Sequence, residues 1–414
     1  MPRSEPRRLR AHRPFPGGAL ALLAGLALLP WATGCQEQLA REEPAIPFVF
    51  RSLQLSQNDS RGKPAWTLSS PEARYDMTRR LAQARELRGV LYAQGQPVYQ
   101  LRARSGVVLG DGALIQFEGE VNLRRLGRDP LAIKAQRVRW YPRKGVMELD
   151  QRPVATERDL QLSAQRAIFL IDKEKLELRG EPQIRRITEA GANRDGRARN
   201  DLVLEATSAD WYPASGDLQA QGPIRGMRTP RPGQPPQTLT SPALRGNTLQ
   251  QQLVLAGPVR FEDRGAKAWL EAGETSVNLP RQEASSPMPF KGQLGRLQLN
   301  GEGFVFRQLE TLVVIQPGCR LRQPGESLSA ERCQWNWTTQ GIEAEGSVEL
   351  RRQASDQVTK SGRLTGRMGN NGMALFTSPG SRVNTRLRLQ NQRRQGNQGS
   401  SAESGAKRIA PIRL

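Results

Sequence analysis

The chain has 414 residues and a net charge of +22, and its one histidine, His12, lies in a basic N-terminal leader. Past that leader there is no imidazole for a Ser-His-Asp triad, a histidine metal site or a proton relay, and Cys319 and Cys333 are too few for a thiolate metal centre. No phosphate-cradling glycine loop follows a strand pattern, and the carboxylates alternate with apolar residues as on a solvated face, so neither an enzyme nor a cofactor or metal is expected.

Residues 1–35 read as an export leader. Arg3, Arg7, Arg8, Arg10 and Arg13 form its basic start, Gly17–Leu29 its apolar stretch, and Ala32, Thr33 and Gly34 precede Cys35. Small residues ending in Gly before Cys resemble the bacterial lipoprotein signal, in which that Cys carries the lipid anchor, although Ala32 stands where Leu is usual. The other reading is a retained membrane-anchoring helix. Its apolar span of about 18–20 residues just reaches across a bilayer, and Pro30 and the glycines weaken it. Either way the positive flank places everything after Cys35 outside the cytoplasm, beside a membrane.

That placement changes the meaning of the positive charge. In the cytoplasm it would suggest nucleic acid, but the leader argues against this and no RNA- or DNA-binding motif is present, so no nucleic acid is expected. Anionic lipid headgroups or glycolipid phosphates are the acidic partners beyond a membrane. The alternative is that arginines spread along the chain decorate exposed strand faces and block aggregation.

Residues 36–47 form a short tether. Phe48-Val49-Phe50 with Leu53 and Leu55 makes a first strand, and Trp66 and Leu68 open the first repeat, with Tyr75 in its second strand. The repeat is plainest in Asp159–Arg186. Leu160, Leu162 and Ala164 alternate with Gln161, Ser163 and Gln165, the period of a half-buried strand. Ile168, Phe169 and Leu170 run into the polar turn Asp172–Lys175, Leu176 and Leu178 alternate again, and Gly180 and Pro182 stop the pattern.

Each unit opens on an aliphatic residue, any residue, then a small one. The series is Leu101-Arg102-Ala103, Ile133-Lys134-Ala135, Leu162-Ser163-Ala164, Leu204-Glu205-Ala206, Leu239-Thr240-Ser241 and Leu328-Ser329-Ala330, with looser copies at Leu68 and Leu270. Eighteen residues beyond each opening lie Gly119, Gln151, Gly180, Gly222, Gly257 and Gly346, each soon followed by a β-branched residue. Units recur at roughly 30–40 residues, a repeat spacing in which stacked units bury a shared core.

Residues 187–200 are polar and glycine-rich, a long loop or domain seam. Thr229–Thr238 and Pro280–Pro289 read as surface loops between strands. The expected organisation is a first β-jellyroll over 48–190, a second over 201–389, and a basic tail over 390–414 too poor in core-forming residues to fold. Alternation puts Tyr92, Leu101, Phe117, Val121, Ile133 and Trp140 inward, with Arg102 and Arg124 on the opposite face or rims. Whether Phe117, Val121, Trp140 and Ile168 form a dry core or touch a ligand stays open. In an oxidising compartment Cys319 and Cys333, taken to lie on neighbouring antiparallel strands, are expected to form a disulfide; two buried free thiols are the alternative.

The anchor, the tether, the F-x-F strand, the opening Trp66-Thr67-Leu68 with Ala73 and Tyr75, and the G-x-V exits resemble the periplasmic lipopolysaccharide-export proteins of the LptC and LptA (OstA-like) superfamily. LptC is closest in layout, and the resemblance is best over Phe48–Arg186. It implies an all-β fold, a partly open antiparallel β-jellyroll of two V-shaped sheets, here in two tandem segments. It further implies a lipid-accommodating interior, with the six inward residues named above as lipid contacts, and a chain anchored to the inner (plasma) membrane. Lipopolysaccharide, an inner-membrane ABC transporter complex and a periplasmic bridge jellyroll protein joined by edge-strand pairing are the implied partners. This chain departs in being about twice the usual length and in its lipobox-like leader. A non-catalytic β-solenoid scaffold lipoprotein is the competing reading.

Overall fold

The strand Leu114–Arg125 shows how the sequence builds the architecture. Ile115 and Phe117 are fully buried, Gly119 and Glu120 take positive φ (+75° and +53°), and Val121 and Leu123 are buried again. The strand turns a corner while residues of one parity stay inside. Pairing breaks there too: Glu118 faces Arg137, and the next paired residue, Val121, faces Ala135. Leu81–Ala93, Gln96–Leu109, Leu131–Tyr141, Asp217–Arg228, Gln237–Asn247, Gly341–Arg352 and Gln357–Arg367 likewise give one half to each of two sheets. Elsewhere the corner falls between two short strands.

All pairing among the described residues is antiparallel. The first sheet starts at Leu53–Asn58 and Pro64–Ser70, continues through Val154–Glu157, Leu160–Ser163 and Gln183–Ile187, and ends at Asn384–Arg386. The second starts at Phe48–Phe50 and Glu72–Asp76, continues through Val146–Asp150, Arg166–Leu170 and Lys175–Arg179, and ends at Ala374–Thr377. They face each other across an apolar interior. Trp66 of the first sheet meets Trp140 of the second with ring centroids 5.3 Å apart, Tyr99 meets Phe169 at 5.6 Å, and Phe290 meets Phe304 at 5.0 Å. Corners join the sheets along one margin. Along the other, two rows of hairpin turns frame a mouth.

The repeat pattern maps onto the corners. Gly119, Gln151, Gly180, Gly222, Gly257 and Gly346 all lie on the corner line, and the small residues Ala103, Ala135, Ala164, Ala206, Ser241 and Ala330 are buried beside it, where the sheets converge. Gly180 shows why a larger residue is excluded: φ is +76°, and a Cβ would stand 2.9 Å from the Cβ of Gln165.

The computed structural model describes residues 48–127, 130–187, 200–228, 235–354, 356–367, 374–380 and 382–387. The leader with Cys35, the tether over 36–47 and the tail over 390–414 lie outside them. The described chain is all-β; apart from 3-10 turns at Pro142–Lys144 and Ile171–Lys173 it holds no helix, and so none long and apolar enough to cross a membrane.

Strand pairing runs on across the segment read as a seam, because Gln183–Ile187 pairs with Asn200–Glu205. The apolar filling divides later, into one cluster from Trp66 to Val259 and another from Ala272 to Leu364. One sequence expectation needs correcting. The segment Pro280–Pro289, read as a loop, contains the strand Glu283–Ser286, paired with Thr275–Asn278 on one side and Phe304–Arg307 on the other. Its residues are small and polar, so no apolar alternation marks it; tertiary pairing alone makes it a strand.

Candidate functional site

The interior is a groove with two facing walls. On the second sheet, one continuous cross-strand row runs Ile115, Trp140, Met147, Phe169, Leu176, Trp211 and Leu218. Opposite, the first sheet presents Leu101, Leu123, Ile133, Ala155, Leu162, Ile184 and Leu204. Every one of these is buried. Of the residues expected as lipid contacts, Leu101, Phe117, Val121, Ile133 and Trp140 lie in this filling, each no more than 3% exposed.

Tyr92 does not join them. It follows Leu91 at a register shift in the pairing of Leu81–Ala93 with Gln96–Leu109, is half-buried, and falls out of phase with buried Leu87 and Leu91. Ile168 likewise faces outward, opposite Glu148, while its neighbour Phe169 fills the interior. Arg102 and Arg124 are exposed on the outer face.

Sequence reasoning missed Tyr99, Phe169 and Trp211, all 2% exposed or less. The alternation of Phe169 with Ala167 and of Trp211 with Ala209 was the available signal. Tyr99 comes from the first sheet and donates its hydroxyl to Glu174 Oε1 (2.9 Å), in the turn after Ile171–Lys173 of the second. Burial, and then the Glu174 carboxylate, hold the Tyr99 phenol well above its usual range, so it stays a donor. Near it at the mouth, Arg125 and Glu157 form a buried ion pair at 2.8 Å. Further along, Arg186 of the first sheet donates to Asp159 (2.8 Å) and reaches across to Gln251 Oε1 of the second (3.3 Å). Tyr99 and Arg186 thus tie the two rims of the front half together.

Beyond Arg186 the same rows continue with different residues. The second-sheet row becomes Gly246, Leu253, Val277, Ala284, Phe306 and Val313, and the first-sheet row Leu239, Phe261, Leu270, Gly292 and Leu299. All but Gly292 are half-buried instead of buried. Small apolar cavities mark both ends of this stretch. One, of about 70 Å³, lies among Leu160, Ile184, Leu204, Leu218, Leu253 and Leu279; the other, of about 50 Å³, among Leu297, Leu321, Leu328, Ile342, Leu350 and Leu364. Among the described residues, no hydrogen bond joins the rims between Phe261 and Val313.

An apolar groove between two corner-joined antiparallel sheets is the geometry a family comparison can be set against. Residues 18–185 match the family model described as lipopolysaccharide-assembly, LptC-related. This part of the chain is similar to LptC-related proteins. No curated protein matches the chain. The LptC-related stretch ends at Arg185, inside the strand Gln183–Ile187, yet the two-sheet ladder continues unbroken past it.

Cys319 and Cys333 are joined, with Cα atoms 5.7 Å apart. Their strands are not neighbours. The corner at Gln316–Gly318 carries Cys319 into the first sheet (Cys319–Gln323), whereas Cys333 sits in the second (Arg332–Asn336), so the bond spans the interior near the corner line.

Proposed function

We propose that this protein is a bridging component of lipopolysaccharide transport. It accepts the glycolipid from an inner-membrane ABC transporter and passes it across the periplasm with its acyl chains in the apolar groove. The LptC-related match over 18–185 carries this reading. A continuous apolar lining between two sheets supports it, since each acyl methylene removed from water contributes about 0.8 kcal/mol. Cys35 would hold the chain at the plasma membrane. Among the described residues the strands Phe48–Phe50 and Ala374–Thr377 pair on one side only, and on such edges a periplasmic jellyroll partner could continue the sheets. As a lipid carrier it needs no catalytic group.

One observation favours the scaffold alternative: Leu101, Phe117, Val121, Ile133 and Trp140 fill the front half as a dry core. Gentle extraction of the full chain from membranes, followed by lipid mass spectrometry, separates the two. Co-purifying phosphorylated glycolipid is expected. Lipid-free protein from cells with a working transporter would leave the scaffold reading standing.

A further inference from the structure

The half-buried stretch of the groove lies beyond the residues that match the family model. We propose that acyl chains of an anionic, phosphate-bearing lipid lie in the middle stretch of the groove, between Leu239 and Val313, outside the family match. This rests on the transport reading above and names where in the chain it operates.

The first ground is what fills the groove. In front, the second sheet contributes Trp140, Phe169 and Trp211, and every residue of the opposite wall is buried. In the middle, the same row holds Gly246, Leu253, Val277 and Ala284 before it reaches Phe306 and Val313. From Gly246 to Ala284 it has no aromatic side chain, and Leu239, Phe261, Leu270 and Leu299 of the first sheet are half-buried. Phe261 belongs to neither apolar cluster. An apolar wall left open to water on the inside of a fold marks a site for an apolar occupant.

The second ground is charge. The turns that frame the mouth here carry exposed Arg264, Lys267 and Arg296 on the first-sheet rim and exposed Arg281 on the other. The rim carboxylates are engaged: Asp263 accepts from Gln237 and from the backbone N–H of Ala266, and Glu310 pairs with Arg307. An apolar floor beneath cations without an ion-pair partner among the described residues fits a chain-bearing amphiphile with an anionic head. It does not fit a neutral wax or a free phosphate.

The test places a photo-crosslinking p-benzoylphenylalanine, in the full chain in cells, at Phe261 or Val277, and for comparison at Phe117, Trp140 or outward Gln161. Capture of phosphorylated glycolipid several-fold stronger at Phe261 and Val277 than at Phe117 is expected, with none at Gln161. Equal or stronger capture at Phe117 overturns the placement while the transport reading stands. Capture at none of the inward sites overturns both. A crosslink from Phe261 to residues 388–414 of the same chain would show that the tail fills the groove, and also overturns the proposal. Ala284→Trp supplies a second arm: it fills the groove as Trp211 does in front, and should abolish capture at Phe261 with protein level unchanged. Undiminished capture in that variant is a refutation.

Discussion

From Ile115 to Leu218, and again from Gly246 to Val313, one cross-strand row lines the second sheet with unchanged register and inward parity. The front stretch carries Trp140, Phe169 and Trp211, and its rims are tied by Tyr99 to Glu174 and by Arg186 to Gln251. The middle stretch carries Gly246, Leu253, Val277 and Ala284 before Phe306, and among the described residues no hydrogen bond ties its rims. Whether such a groove is a core or a container is thus set by side-chain volume along a single row, on a backbone that is the same in kind.

The largest test of this contrast is truncation. Phe169→Ala should cost about 3–5 kcal/mol, as expected for emptying a fully buried aromatic site. Phe261→Ala should cost less, about 1–2 kcal/mol, because that ring is half-buried and belongs to neither apolar cluster. Urea midpoints of the two variants decide the matter, and equal losses would mean that the middle stretch is packed like the front.

Next is the disulfide, which closes the far side of the middle stretch. Replacing Cys319 and Cys333 together with alanine should cost about 3 kcal/mol. Because each rung touches only its neighbours, hydrogen-exchange protection should fall around Phe290–Ile342 and hold around Phe117 and Phe169. Uniform loss along the chain would contradict the division into two apolar clusters. Failure to alkylate either cysteine in denatured, unreduced protein checks that the bond is present.

The smallest effect belongs to the rim tie. Tyr99→Phe should cost about 1 kcal/mol near neutrality through the lost hydrogen bond. Its pH signature is more telling. The folded phenol titrates above its unfolded value of about 10, so the folded state retains a proton that the unfolded state releases. The stabilisation is complete below about pH 10 and declines as pH rises beyond it. Unfolding free energies at neutral pH and above about pH 10 should therefore fall less steeply for Tyr99→Phe than for the unaltered protein.

Much of the ladder was legible in the sequence, because corners demand specific residues. Gly119, Gly180 and Gly346 sit at positive φ where neighbouring corners pass close, and the eighteen-residue offset is the length of chain from one wall round to the next corner. What stayed hidden depended on phase and volume. A register shift at Leu91 reverses Tyr92, and the corner after Gly119 carries no trace in composition of how far the sheets stand apart. Glu283–Ser286 lacks any apolar alternation, so its place as a groove-lining strand could not be read. The two cysteines looked like neighbours in a sheet because the corner at Gln316–Gly318 is written in only three residues.

The corner-and-rung construction also bears on how the chain acquires its structure. Each strand finds its partners within a few dozen residues, the longest reach in the described ladder being from Leu176 to Trp211. Such local closure keeps the entropic cost of each step small. A chain made N-terminus first can therefore complete its early rungs while later ones are still unsynthesised, each finished rung serving as the template for the next.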